Sequence, residues 1–209
     1  MNAGPSRELQ QGEDNQLIVR SLGCVRGDKL LFSDLNFTLT PGQSGLVTGP
    51  NGVGKSSLLR LIAGLLSPVS GTIQKPSSMA LCDDRLALDE NLPLGQALQF
   101  WTRLDGRIGD DGRAAMLATG LDHLAEVPIR YFSTGQRQRA RIARTLQSGA
   151  TLWLLDEPAN GLDSLSVELL GAALQTHISR GGMILAASHI PLPIEFNLSL
   201  QLDAPEAES

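Results

Sequence analysis

Residues Gly49 to Ser56 have the types and the spacing needed to hold a phosphate group. They read Gly49, Pro50, Asn51, Gly52, Val53, Gly54, Lys55 and Ser56 and satisfy the pattern G-x-x-x-x-G-K-[ST]. Glycines let backbone N–H groups surround a phosphate, the Lys55 ammonium can reach the β- and γ-phosphates, and the Ser56 hydroxyl can ligate Mg²⁺. A glycine-rich turn between a strand and a helix is the simpler alternative.

Two adjacent acids, Asp156 and Glu157, directly follow the apolar run Thr151–Leu155. A carboxylate at the end of a buried strand can hold Mg²⁺, and we assign this role to Asp156. Glu157 would point to the opposite side, where it could accept a proton from water that attacks a γ-phosphate. An ordinary solvated turn would also contain such acids, but the phosphate-binding pattern favours the catalytic interpretation.

A third group, Ser133 to Gln136, is a Ser-x-Gly-Gln turn that opens a predicted helix running to Leu146. Ser133 has the chemistry of an N-cap, because its hydroxyl can accept a hydrogen bond from a free backbone N–H of the first turn. Taken alone, this group predicts only a capped helix.

The elements around these residues indicate an α/β fold with a mostly parallel sheet. Ser44–Thr48 predicts a strand that enters the glycine loop, and Lys55–Leu65 has the apolar spacing of a helix. The continuous apolar runs Thr151–Leu155 and Met183–Ala187 are typical of strands buried on both faces of a parallel sheet, and Ser164–Ser179 between them has helical spacing.

Two further patterns complete the predicted organisation. Leu17–Leu22 and Leu35–Leu39 alternate apolar and polar residues, which predicts a small antiparallel β layer. Residues from about 93 to 147 turn helical and are interpreted as an inserted helical subdomain. We expect a loose N-terminal tail over 1–15, one nucleotide-binding domain over 16–203 and an unstructured C-terminal tail over 204–209.

Composition narrows the possible functions. The chain has 209 residues, 42% hydrophobic and 19% charged, which suits one domain with a real core. A formal charge of −5 gives no general attraction to nucleic acid. Cys24 and Cys82 lack metal-site spacing and are interpreted as ordinary thiols in a reducing cytoplasm. The apolar run Leu58–Leu66 is too short to cross a bilayer, so a membrane role would need a partner.

Five motifs in order resemble the nucleotide-binding domain of ABC proteins, and the resemblance covers nearly the whole chain. It implies a P-loop NTPase fold with ATP and Mg²⁺ as cofactors. Five ordered motifs are far more specific than a phosphate loop alone. The motifs are Gly49–Ser56, Ser133–Gln136, Leu152–Glu157, Asn160–Asp163 and Ser188–His189.

In that family two such domains form a head-to-tail dimer, with each ATP between the phosphate loop of one and the Ser-x-Gly-Gln turn of the other. The resemblance therefore implies a second ATP-binding subunit, His189 near the γ-phosphate and Asp163 at the dimer contact. A helix N-terminus near Gly135 would offer N–H groups and a positive dipole end to phosphate. The remaining expected ATP contacts are Ser57, Ser133 and Gln136.

The sequence departs from the family pattern at two places. The family usually has an aromatic residue after the first strand to stack on adenine, whereas this chain reads Val25-Arg26-Gly27-Asp28. The guanidinium plane of Arg26 could stack instead. Where the family has a glutamine after a strand, placed here at Met79–Leu81, this chain has Cys82-Asp83-Asp84.

Three phrases, Leu30–Phe37, Gly52–Arg60 and Gly181–His189, resemble the ATP-binding subunits that serve cytochrome c maturation. This resemblance implies integral membrane subunits that handle haem, with the present chain peripheral on the cytoplasmic face of a bacterial inner membrane. No direct haem binding is expected, because the chain has no Cys-x-x-Cys-His and no axial-ligand arrangement.

Four alternatives stay open at this point. An ABC transporter subunit for another cargo would share every ATP-site residue. A non-transport ABC ATPase of translation or DNA repair usually carries two such domains or a long coiled-coil insertion, and this sequence shows neither. A simple P-loop kinase would leave Ser133–Gln136, Asp163 and His189 unexplained. An ATP-binding module without turnover would be consistent with the altered loop at Cys82–Asp84.

Overall fold

The structure, a computed structural model, describes residues 15–107, 109 and 111–203. The tails predicted for 1–15 and 204–209 lie outside these residues, apart from Asn15. A five-stranded parallel sheet forms the centre of the fold, in the order β5-β6-β7-β3-β8. Its strands are β3 (Ser44–Thr48), β5 (Met79–Cys82), β6 (Leu152–Asp156), β7 (Met183–Ala187) and β8 (Leu198–Gln201).

A second, antiparallel sheet contains β1 (Leu17–Arg26), β2 (Lys29–Leu39) and β4 (Ser70–Gln74), in the order β2-β1-β4. The antiparallel layer is confirmed, but its strands are longer than predicted. Arg26 pairs with Lys29 across a two-residue turn in which Gly27 has φ +59°, a conformation that glycine adopts without strain. Register shifts within β1 and consecutive buried residues, such as Leu31 and Phe32, interrupt the alternation pattern at these ends of the two strands.

Five α-helices are present in the part of the chain that the structure describes. The helix after the glycine loop ends two residues earlier than predicted, because Gly64 adopts φ +78° and caps it. Short 3₁₀ turns occur at Asp122–Leu124 and Ile129–Tyr131. The helices are α1 (Lys55–Ala63), α2 (Leu94–Leu104), α3 (Arg113–Ala118), α4 (Thr134–Gln147) and α5 (Ser164–Ser179).

Alternation along β6 divides the core of the parallel sheet into two layers. Leu152 and Leu154 pack on one face with the antiparallel sheet and α1, whereas Trp153 and Leu155 pack on the other face with α5. These four side chains are 0–5% exposed. The burial of both faces explains why β6 reads as a continuous apolar run and confirms the α/β architecture with a mostly parallel sheet.

Residues of α2, α3 and α4 form a separate apolar cluster together with the segment that connects them. Leu94 and Leu98 of α2 meet Ile129, Phe132 and Ala140, and all five are buried. The helical segment therefore has a core of its own. Within the described residues, no helix has both the length and the apolar character needed to cross a membrane.

Truncation of Leu154 should strongly destabilise the fold. Leu154 is fully buried in the middle of β6, so Leu154→Ala should lower the free energy of unfolding by about 3 kcal/mol through lost apolar burial and a residual cavity. Urea denaturation followed by circular dichroism measures this change. Leu165→Ala is the matched control, because that leucine is 66% exposed and its removal should change stability by less than about 0.5 kcal/mol. Equal losses in the two variants would contradict the proposed core.

Candidate functional site

The carboxyl ends of β3, β6 and β7 lie at the same edge of the parallel sheet. Asp156 at the end of β6 pairs with Ala187 at the end of β7, and Ala187 pairs in turn with Val47 near the end of β3. The loops that follow these strands begin at Gly49, Glu157 and Ser188. Ligands of parallel α/β sheets bind outside this edge, so the topology brings three of the sequence motifs together.

The glycine loop is held closely by its surroundings at two positions. Gly49 has φ +135°, and a Cβ placed there would lie 2.2 Å from the carbonyl oxygen of Leu202. Gly54 has φ +117°, and a Cβ there would lie 3.1 Å from atoms of Leu31 and Phe32 in β2. Gly54 is also the N-cap of α1 and offers no side-chain cap. The N–H groups of the first turn therefore remain available to an anion.

Lys55 is buried, and its ammonium lies inside the glycine loop. Nζ donates to the carbonyl oxygens of Gly49 at 2.7 Å and Pro50 at 3.0 Å. Two of its three hydrogens are used by the backbone, which fixes the charge beneath the loop. A phosphate bound at the N-terminus of α1 would thus meet a pre-positioned cation.

Ser56 lies close enough to Asp156 for its hydroxyl to favour the ionised carboxylate, so the phosphate loop and the end of β6 are neighbours. Burial raises the pKa of Asp156, and the nearby charges of Glu157 and Asp83 raise it further, while Ser56 and Arg60 act in the opposite direction. A hydroxyl and a carboxylate are the oxygen ligands that Mg²⁺ prefers. These residues fit the magnesium site that the sequence predicted, and a bound dication would offset the crowding of negative charge.

The side chains of Glu157 and His189 are in contact at the same edge. Oε2 of Glu157 lies 2.7 Å from Nδ1 of His189 and also accepts from the His189 backbone N–H at 3.2 Å. Oγ of Ser188 accepts from the N–H of Ile190 at 3.2 Å, which fixes the turn that carries the histidine. The contact leaves Nε2 of His189 available to a substrate, since its side chain is 56% exposed.

The residues that replace the expected glutamine point toward α1. Asp83 and Asp84 accept from NH2 of Arg60 at 3.3 and 3.1 Å. Burial raises the pKa of the neighbouring Cys82 thiol to about 11, so this side chain is neutral and lies in the core. The turn after β5 is therefore tied to the phosphate-loop helix through Arg60, a residue to which the sequence assigned no role.

The Ser133–Gln136 turn forms a second, separate cluster. Gln136 N–H donates to Oγ of Ser133 at 3.2 Å and the Ser133 N–H donates to Oε1 of Gln136 at 2.9 Å, so the predicted N-cap is confirmed as a capping box. A Cβ at Gly135 would lie 3.0 Å from the carbonyl oxygen of Gly161. Asp163 caps α5 by accepting from the N–H of Ser166 at 2.8 Å, and this bonding lowers its pKa.

Among the described residues, no hydrogen bond joins the Ser133–Gln136 turn to the glycine loop. Arg26 also lies apart from the loop, exposed near the tip of the β1–β2 hairpin. Phe32, which contacts Gly54, pairs with Cys24 two residues from Arg26. The hairpin thus approaches the glycine loop at Leu31 and Phe32, and Arg26 is an exposed residue of the same hairpin.

The sequence also gave no role to Gln138, which contacts the catalytic edge. Its Nε2 donates to the carbonyl oxygens of Pro158 at 3.0 Å and Glu157 at 3.4 Å. A signal was available, because Gln138 shares the buried face of α4 with Ile142 and Thr145 at spacings of four and seven residues. A polar residue in an apolar stripe requires a partner.

Comparisons with known proteins agree with this geometry. The model of the ABC transporter family matches residues 32–160. The cytochrome c biogenesis ATP-binding export protein CcmA of Zymomonas mobilis is 49% identical over 94% of this chain and 89% of its own. The protein of the same name from Novosphingobium aromaticivorans is 49% identical over 86% of this chain and 91% of its own.

A solved structure supports the same assignment. The cbiO1 protein of Clostridium perfringens, part of the ABC transporter complex cbiONQ, has a TM-score of 0.70 and 28% identity over 85% of this chain and 79% of its own. The present chain belongs to the ABC transporter family, as an ATP-binding subunit that works with membrane subunits and hydrolyses ATP. Within that family it belongs with the cytochrome c biogenesis ATP-binding export proteins named CcmA.

Neutralisation of Asp156 should stabilise the nucleotide-free and metal-free fold. A carboxyl whose pKa is raised on folding favours the folded state fully below its unfolded pKa, and this contribution is lost as pH rises through the folded pKa. Asp156→Asn should therefore raise the urea midpoint most at alkaline pH, with a gain that shrinks as pH falls. Unfolding in EDTA across a pH series measures this.

The exposed Asp28 of the hairpin turn provides the control. Asp28→Asn should leave the midpoint almost unchanged at every pH. A lower midpoint for Asp156→Asn at alkaline pH, or a gain that does not depend on pH, would contradict the strained environment assigned to Asp156.

Proposed function

We propose that the chain hydrolyses MgATP at a site shared by two copies of itself and that this hydrolysis drives haem export or release of a haem chaperone in cytochrome c maturation. The observation that carries the hydrolytic part is the 2.7 Å contact between Glu157 and His189 at the sheet edge that also bears the glycine loop. A phosphate-binding module without chemistry would have no use for a carboxylate and an imidazole aligned in this way.

The proposed roles follow from where each side chain is held. Backbone N–H groups of the glycine loop and the first turn of α1, which contains Ser57, bind the phosphates, and Lys55 balances their charge. Ser56 and Asp156 would hold Mg²⁺, which neutralises charge on the phosphate oxygens when bound. Glu157 accepts a proton from the attacking water, and His189 contacts the γ-phosphate.

A second copy is proposed to complete the site. The Ser133–Gln136 turn opens a helix of 14 residues and its serine is exposed, so the positive end of the α4 dipole faces outward. Gly135 lies against Gly161, which places Asp163 beside the same surface. Supported by the family resemblance, we assign this surface to the γ-phosphate of ATP bound by the partner copy. Arg26 is assigned to the adenine of the ATP that binds the glycine loop of its own chain, because Phe32 of the same hairpin contacts Gly54.

The membrane partner is proposed to contact the helical subdomain over about 93–147. Phe100 and Leu104, one turn apart on α2, are 58% and 64% exposed, and adjacent apolar side chains of this size are typical of interaction surfaces. The printed names of the relatives, cytochrome c biogenesis ATP-binding export protein, support a partner from that complex. The chain would then be peripheral at the cytoplasmic face of the inner membrane, without binding haem or nucleic acid itself.

Replacement of Glu157 by glutamine should stop turnover while ATP still binds. The amide keeps the shape of the side chain but cannot accept the proton, so Glu157→Gln should lower kcat by about 100- to 10,000-fold. Phosphate release measures kcat, and equilibrium titration with a fluorescent ATP analogue measures affinity. Turnover at the wild-type rate in this variant would remove Glu157 from the mechanism.

Lys55→Ala is the complementary control, because it removes a phosphate contact and leaves the proton acceptor in place. Loss of a charged hydrogen bond should weaken ATP affinity by about 10- to 100-fold. Unchanged affinity in Lys55→Ala would contradict the phosphate-binding role of the glycine loop.

The membrane partner should co-purify with the chain, and the exposed residues of α2 should determine its recovery. Phe100→Ser with Leu104→Ser should lower the yield of integral membrane subunits, because it removes apolar contact area. Leu65→Ser is the control, since Leu65 is 63% exposed but lies outside the helical segment. If the co-purified membrane subunits contain no haem and have no activity in cytochrome c assembly, the proposed cargo is wrong. If the double variant and Leu65→Ser recover equal amounts of membrane subunits, the proposed contact surface is wrong.

A further inference from the structure

Glu157 has a backbone conformation that needs external support. Its φ is +49°, in the left-handed region that a residue with a Cβ rarely occupies. The Glu157 N–H donates to the carbonyl oxygen of Ala187 at 2.8 Å, which continues the sheet by one residue. After that bond the chain turns away from the sheet, and the carbonyl groups of Glu157 and Pro158 turn toward α4.

Gln138 of α4 binds both of these carbonyl groups. Its side chain is buried, with 4% exposed, and Nε2 donates at 3.0 Å to Pro158 and at 3.4 Å to Glu157. Oε1 of the same amide accepts from NH1 of Arg141 at 2.6 Å. Because the donor to Oε1 is charged, this bond is strong and leaves the amide one orientation, with its N–H groups toward the turn.

The carboxylate of Glu157 is therefore fixed from two sides. His189 holds the carboxylate oxygen, and Gln138 holds the backbone turn from which the side chain projects. We infer that Gln138 is a positioning residue for hydrolysis, which sets the direction of the Glu157 side chain by binding the 157–158 carbonyl groups. The inference rests on the proposed role of Glu157 as the proton acceptor.

The position of Gln138 on α4 has a further consequence. The helix begins at the Ser133 cap, and Gln138 lies in its second turn. A small displacement of α4 would therefore move the amide relative to Pro158 and change the direction of Glu157. The Ser133–Gln136 turn and the carboxylate of the same chain are linked in this way by one rigid helix.

Gln138→Met tests the inference, since methionine has a similar length and volume but no hydrogen-bonding amide. A misdirected carboxylate should lower kcat by about 10- to 100-fold, since small displacements of a reacting group have effects of this size. ATP affinity and KM should stay within about twofold, because no phosphate contact is lost. These constants are measured on the 209-residue chain with MgATP, together with its urea midpoint.

Gln147→Met is the matched control. Gln147 is the same residue type on the same helix and is 3% exposed, and its amide has no hydrogen-bond partner among the residues that the structure describes. Its replacement should leave kcat and KM unchanged. If both variants lose turnover in proportion to lost stability, Gln138 has only a structural role and the inference is overturned.

Gln138→Glu separates the two bonds of the amide. Glutamate keeps an acceptor for Arg141 but has no N–H for the carbonyl groups of Glu157 and Pro158. The inference requires that kcat falls in this variant as it does in Gln138→Met. A wild-type kcat in Gln138→Glu would show that the contact with Arg141 alone matters. That result would overturn the inference.

The Glu157→Gln variant distinguishes failure of this inference from failure of the proposed function. If Glu157→Gln binds ATP without turnover while Gln138→Met keeps the wild-type kcat, the function stands and the positioning role is wrong. If Glu157→Gln hydrolyses ATP at the wild-type rate, the proposed catalytic role of Glu157 and the positioning role of Gln138 are both wrong.

Discussion

Parallel pairing of β3, β6 and β7 is the constraint on which the nucleotide site depends. A parallel sheet forces the carboxyl ends of these strands to one edge, so the glycine loop, the acids after β6 and the histidine after β7 meet although more than 130 residues separate the first from the last. The two apolar layers around β6 hold that edge in place. The packing that stabilises the core consequently also positions the residues of the site.

The edge concentrates negative charge that the folded chain only partly balances. Asp156 lies beside Glu157 and Asp83, and the opposing influences within the chain are the Ser56 hydroxyl and the Arg60 guanidinium. Glu157 adds backbone strain through its positive φ. Strain and like-charge crowding at one place are typical of sites that bind a cation or perform chemistry, where the rest of the fold maintains an unfavourable arrangement.

Local sequence patterns predicted much of the fold. Features that depend on long-range contacts were not predicted. Met183–Ala187 and Ser164–Ser179 have the same bounds in the sequence prediction and in the structure, because an apolar run and a helical period are properties of neighbouring residues. The ends of the β1–β2 hairpin were missed because register shifts and consecutive buried residues break the strict alternation there. The Gln138 contact joins residues 19 and 20 positions apart through a side chain and two carbonyl groups, which no composition or period encodes.

At the position where the family pattern has a glutamine, the Cys82–Asp84 turn is connected to the phosphate-loop helix by charged side chains. An uncharged amide in this turn would require another polar partner, whereas Asp83 and Asp84 attract the Arg60 guanidinium of the phosphate-loop helix. Asp83 is only 11% exposed, so its pairing is less screened by solvent than that of Asp84, which is 79% exposed. Of the two contacts, the one with Asp83 therefore contributes more to holding the turn against α1. Asp83 also raises the pKa of Asp156, so the turn that precedes the helical segment influences the carboxylate at the end of β6.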